Sequence, residues 1–172
     1  MATEESLDLY HVGRSALVWQ YDYPATTRDI DVLVQGEPTG MMAKALDMYG
    51  RGSVKAQEFG IYLEAVPTAL PPMAAGFRKR AKLYDHPWKI IRLFHLDPHD
   101  LAASKLKRFA VKDREDICEL CDRGLIESDI LKSTLENAFY FHMEKDGNPE
   151  RHAAFANLAF VRKYLAGEIN EF

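Results

Sequence analysis

Along the first half of the chain, the spacing of apolar and polar positions switches repeatedly between two periods. "LDLYHV" (7–12) and "DIDVLV" (29–34) read as strands, whereas "RSALVWQYD" (14–22) and "TGMMAKALDMYG" (39–50) read as helices, the second closed by Gly50. "GIYLEAV" (60–66) predicts another strand and "PTALPPM" (67–73) a proline-rich loop. "AKLYDHPWKIIRLFHL" (81–96) predicts two more strands around a turn at Asp85 to Pro87. A sheet of four or five strands follows. One strand poses a question: in "TTRDIDVLV", Asp29 and Asp31 stand two apart, hence on the same side, where like charges repel unless a cation or hydrogen-bond donors hold them.

At residue 97 the texture changes. "LDPHDLAASKLKRF" opens with Asp97 as N-cap, Pro98 at the first helical position and Asp100 in the first turn, where negative charge is favoured. Helices are predicted over 98–109, 113–123, 127–142 and 150–166. The third and fourth carry packing residues at helical spacing: Ile130, Leu131, Leu135, Ala138 and Phe139, then Ala154, Leu158, Val161 and Leu165. Tyr140, Phe141, Met41 and Met42 read the same way. The expected fold is α/β (α+β), with a mixed-sheet core over 1–96 and a helical half over 97–172 packed on it as one compact domain.

Composition narrows the picture modestly. A chain of 172 residues with 47% hydrophobic and 28% charged positions has enough apolar material for a real core. A formal charge of −4 excludes a generally basic nucleic-acid coat, though not a local basic patch. The acidic start "MATEESLDLY" lacks a signal segment, and no apolar run approaches the ~18 residues that a membrane helix needs. A soluble cytoplasmic protein is expected. Cys118 and Cys121 form a C-x-x-C spacing without a second ligand pair, so core packing accounts for them best. The six histidines (His11, His86, His95, His99, His142 and His152) show no metal-ligand spacing, and His11, just ahead of a strand-to-helix turn, fits a packed or capping role.

That turn changes the meaning of the aspartates. In "HVGRSALVW" a strand ends at a glycine and a helix opens at Ser15, which aims backbone N–H groups at a phosphate. A phosphate turn followed by a two-carboxylate strand suits Mg²⁺-assisted nucleotide chemistry. Glu64 in "IYLEAV" is the candidate third carboxylate, with a solvent-facing strand position as the equal alternative. On the helix 98–109, Lys105 falls inside the apolar sector between Leu101 and Phe109, while Lys107 and Arg108 point away. On the next helix Asp113 lies on the buried stripe between Ile117 and Leu120, with Asp116 at its edge. Lys105 and Asp113 thus form either a structural ion pair, with Asp113 as a helix cap, or a nucleotide-contacting pair.

Between residues 78 and 92, Arg78, Lys79, Arg80, Lys82, Lys89 and Arg92 gather around Tyr84 and Trp88. A polynucleotide acceptor would suit them. A strand edge protected by charge explains them more simply.

Taken together, "VGRSAL", "DIDVLV" and "LDPHDLAASKLKRFAVKDREDICEL" resemble the minimal nucleotidyltransferase-like proteins of prokaryotes, related to the nucleotidyltransferase toxins of abortive-infection type toxin–antitoxin systems. The resemblance covers residues 8 to 126. It implies a polymerase-beta-like mixed sheet with helices. It also implies that Gly13 and Ser15 hold triphosphate oxygens, that Asp29 and Asp31 bind Mg²⁺, that Lys105 contacts the nucleotide and that Asp113 is the later aspartate of the toxin relatives. The substrate would be an NTP and the acceptor an RNA (including a tRNA end) or a protein hydroxyl, with an antitoxin as partner. Arg14 stands where the family has a second glycine, and it either obstructs the phosphate or adds a contact to it. A module that only binds nucleotide, RNA or a partner protein is the alternative. A third possibility is purely structural: Asp29 and Asp31 cap turns, and Lys105 with Asp113 forms a packing ion pair.

Overall fold

The computed structural model describes residues 6–86, 90–140 and 148–170. Its residues cluster into two compact units, one of residues up to 70 with 78–96, the other of 71–77 with the helices from 97 onward.

The first unit is a five-stranded sheet in the order β3-β2-β1-β5-β4. Strand β1 (Leu7–Val12) runs directly into helix α1 (Gly13–Tyr21), and β2 (Asp29–Val34) returns antiparallel beside β1, pairing Val12 with Asp31 and Tyr10 with Leu33. Helices α2 (Gly40–Tyr49) and α3 (Val54–Phe59) lead to β3 (Tyr62–Pro67), which lies parallel to β2 and places Glu64 opposite Asp31. A four-residue helix α4 (Phe77–Arg80) precedes β4 (Lys82–Leu83), an antiparallel neighbour of β5 (Ile91–His95), which is parallel to β1. The expected turn at Asp85 to Pro87, and with it Trp88 and Lys89, lies partly outside the described residues.

Strand alternation sorts the two faces. Leu9, Val32 and Leu93 form an apolar cluster with Met42 of α2, joined by Leu7, Ile30, Val34, Leu63, Ala65 and Ile91. Burial of side chains of this size contributes roughly 1.5–3 kcal/mol each, so register is firmly fixed. A slip by one residue would bury Asp29 and Asp31 instead. The intervening positions, Tyr10, Asp29, Asp31, Tyr62 and Glu64, therefore share the opposite face.

The second unit contains α5 (Pro98–Leu106), α6 (Val111–Asp122), α7 (Ser128–Ala138) and α8 (Pro149–Leu165). Asp97 caps α5 by accepting from the His99 N–H at 2.9 Å, and Asn148 caps α8 by accepting from Glu150 and Arg151. Leu101, Leu106, Ile117, Leu120, Leu131, Leu135 and Val161 are fully buried. His99 links two of the helices: its Nε2 accepts from the Glu127 N–H at 3.0 Å, which leaves Nδ1 as the donor toward Asp97.

Several expectations are corrected. Helix α5 ends at Leu106 rather than 109, because Phe109 takes a left-handed conformation (φ 48°). Helix α6 starts at Val111 rather than 113, since the Asp113 carboxylate reaches back to accept from the Ala110 N–H at 3.0 Å. Helix α7 ends at Ala138, and residues 141–147, with Phe141 and His142, lie outside the described part. Ile130 and Tyr140 are 44% and 63% exposed rather than core residues. Met42 is buried and Met41 half-buried.

Candidate functional site

The carboxylates meet because of the register just given. Asp29 and Asp31 lie two apart on β2, Glu64 is paired with Asp31 across to β3, and one carboxylate oxygen from each lies within 4.8 Å of the others. All three are half-buried. Thr27 donates its hydroxyl to Asp29, and Arg51 donates from Nη2 to Glu64 Oε2 at 2.9 Å. The same guanidinium stands 4.5 Å from the centre of the Tyr62 ring. Its bond to Glu64 and the neighbouring negative groups raise the Arg51 pKa further above its ordinary value.

Sequence reasoning did not find Arg51. It lies in "YGRGS", after the helix-closing Gly50, and the only signal was a cation beside a glycine-rich turn.

The strand-to-helix turn adjoins these acids. Gly13 has φ +72°, and a Cβ built there would stand 2.2 Å from Asp31 Oδ2. Both facts require glycine: the backbone conformation is costly for other residues, and the carboxylate occupies the space of a side chain. Helix α1 starts at this point, so its first N–H groups lie next to the acidic strand. Ser15 is 2% exposed and hydrogen-bonded through Oγ to His11 Nε2 at 2.8 Å. Arg14 sends its guanidinium over Tyr23, 5.7 Å from the ring centre.

A family model described as "nucleotidyltransferase of unknown function (DUF6036)" matches residues 1–160. The chain belongs to this nucleotidyltransferase family. Its five-stranded mixed sheet, with helices and a helical second half, is consistent with a nucleotidyltransferase-like fold. No curated protein and no solved structure matches the chain. No described helix is long and apolar enough to cross a membrane.

In the helical unit of this family member, Lys105 and Asp113 are both buried, together with Asp116. The nearer partner of Lys105 is Asp116, with Nζ to Oδ2 at 2.7 Å, while Asp113 Oδ1 is 3.9 Å away. Asp116, expected at the edge of the stripe, is as deep as Asp113. Arg108, expected to point away, folds back and grips Asp113 with two bonds of 2.7 Å. Burial alone would raise the Asp113 pKa. The bonds from Arg108 and the charge of Lys105 outweigh it and hold the group below the ordinary carboxylate range.

The cysteines and two residues of the basic run, Arg78 and Arg92, have packing or pairing partners. Cys118 is half-buried and Cys121 buried, both as free thiols, and burial, with Cys118 and Asp122 nearby, pushes Cys121 up to about 12. Neither is a ready thiolate. Of the basic run, Arg78, Lys79, Arg80 and Lys82 are exposed. Arg78 donates to Gln35 at 3.2 Å and lies over Tyr10, and Arg92 forms a two-bond pair with Asp8 and lies over Phe94. Tyr10 and Phe94 stack with ring centres 5.0 Å apart.

Proposed function

We propose that this family member is a Mg²⁺-dependent nucleotidyltransferase that moves a nucleoside monophosphate from an NTP to an RNA or protein hydroxyl. The observation that carries the reading is the convergence of Asp29, Asp31 and Glu64, with Gly13 against Asp31. Three hard oxygen donors at this spacing suit Mg²⁺, which when bound would neutralise the triphosphate oxygens. Gly13 and the first N–H groups of α1 receive the phosphates, and Ser15 adds a hydroxyl. The acceptor oxygen bonds to the α-phosphorus, the bond from that phosphorus to the bridging oxygen breaks, and pyrophosphate leaves. A carboxylate of the cluster takes the acceptor's proton. Lys105 serves as a nucleotide contact, oriented by Asp116 as the nearer carboxylate and by Asp113 as the more distant one. The resemblance to abortive-infection toxins extends the reading to a prokaryotic, cytoplasmic toxin with a cognate antitoxin and a tRNA end as one acceptor.

A second reading, a nucleotide-, RNA- or protein-binding module without turnover, draws on two observations: Glu64 is engaged by Arg51, and Arg14 replaces a glycine of the phosphate turn. Incubation with Mg²⁺, each α-labelled NTP, total RNA and cell protein separates the two. Label transfer by the wild type and none by Asp29→Ala/Asp31→Ala is the expected result. Tight NTP binding with no transfer by the wild type favours the module.

A further inference from the structure

Among the described residues of the first unit, His11 is the least exposed polar one, at 0%. It sits on β1, two residues before Gly13, and is held from two sides: the His95 ring centre is 5.6 Å away and the Trp19 ring meets it edge-on at 5.4 Å. Its Nε2 is 2.8 Å from Ser15 Oγ, and its Nδ1 has no hydrogen-bond partner among the described residues. Burial, with His95 nearby, lowers its pKa to about 3, so the ring is neutral at physiological pH and carries one proton on one nitrogen.

Where that proton sits follows from the unmatched nitrogen. A proton on Nδ1 would be a buried donor with nothing to receive it, a rarer and costlier defect than an unmatched acceptor lone pair. The proton therefore belongs on Nε2, pointing at Ser15, and Ser15 Oγ is then the acceptor of this bond. Its own O–H is left over, and among the described residues no acceptor takes it. Residue 15 lies in the first turn of α1, where the proposed function seats the triphosphate.

We infer that His11 is a positioning residue: by donating Nε2–H to Ser15 Oγ it reserves the Ser15 hydroxyl proton for an oxygen of the bound triphosphate. With the opposite tautomer Ser15 would spend its proton on the histidine and present only lone pairs, which repel phosphate oxygens. The role is electrostatic pre-orientation, arranged before the ligand arrives. It rests on the nucleotidyltransferase reading for the identity of the ligand, but not on turnover.

The first test uses the wild-type protein and ¹⁵N-labelled histidine. Its NMR spectrum is expected to show His11 neutral with the proton on Nε2. A proton on Nδ1 overturns the proposal, even if every His11 variant fails to fold. The second test titrates each NTP with Mg²⁺ into the wild type, His11→Met, His11→Gln, Ser15→Ala and the His11→Met/Ser15→Ala double variant. His11→Met is expected to weaken binding about tenfold, in line with a lost hydrogen bond to a charged group. His11→Gln, whose amide N–H can still serve Ser15, restores most of it, and the His11→Met effect disappears in the Ser15→Ala background. An undiminished effect in that background indicates mere packing and overturns the proposal, as does His11→Met binding like wild type. Wild-type binding without turnover sinks the transferase reading and leaves this one standing. Absence of any NTP binding by the wild type overturns both.

Discussion

Arg51 and Glu64 face the same choice that any ion pair at a metal-compatible site faces, because the carboxylate can satisfy the guanidinium or a divalent ion more readily than both. The pair is exposed, so its own stabilising value is small, and its interest lies in competition. Arg51→Gln is expected to bind a divalent ion several-fold more tightly, measured by Mn²⁺ titration. An unchanged affinity would mean that Glu64 is not a ligand. At Gly13 the prediction runs the other way. Gly13→Ala forces a side chain into a φ of +72° and against the Asp31 carboxylate. The strained backbone costs about 1–3 kcal/mol, which a thermal melt would read as a lowered Tm, and displacement of the carboxylate is expected to abolish the proposed transfer. The glycine was legible from sequence as part of a strand-to-helix turn. Its second duty, making room for Asp31, was not, because that contact is created by the pairing of β1 with β2.

At the scale of elements, the link between α5 and α6 is a buried network rather than a single bond. Lys105 holds Asp116, Arg108 holds Asp113, and Asp113 also caps α6. Removing one partner of such a pair leaves a charge in a poor environment, so Lys105→Met is expected to destabilise the protein by about 3–5 kcal/mol in denaturant unfolding. Adding Asp116→Leu to that variant should recover much of the loss, whereas nucleotide affinity, if Lys105 contacts the ligand, stays low in both. The helical periodicity of 97–123 revealed that Lys105 and Asp113 face inward. It could not rank Asp116 above Asp113 as the partner, because that choice depends on where α5 stops, and Phe109 turns the chain earlier than the periodicity suggests. The six-residue α3 and four-residue α4 were invisible for a related reason: neither is long enough to display a period. Strand β2, by contrast, was read to the residue, since one face is wholly apolar and the other carries the aspartates.

For the whole molecule, acidification should act in one direction. His11 and His95 have pKa values lowered by burial, so the unfolded chain takes up their protons as pH falls below about 6.5 while the folded protein takes them up only at lower pH, near 3 for His11. Asp113 adds to this. Its folded pKa is also depressed, so the stability it contributes is complete above the unfolded carboxylate range and is lost as pH falls through the folded value. Unfolding free energy measured by urea titration is therefore expected to fall by several kcal/mol between pH 7 and pH 3. His11→Gln should flatten the upper part of that decline, and a wild-type profile that is level from pH 7 to pH 5 would contradict the assignment of neutral buried histidines.

Strand β3 is the outermost strand of its end of the sheet, with β2 as its neighbouring strand and a single bridge from Leu63 to Gly50, yet it carries the third acid. Its Leu63 and Ala65 pack on the apolar side, immediately before and after Glu64. Shortening Leu63 would let the strand settle closer to the core and alter the distance from the Glu64 oxygen to those of Asp29 and Asp31. The size preference of the proposed cation would thus be retuned from the apolar side of the sheet, leaving every acid in place.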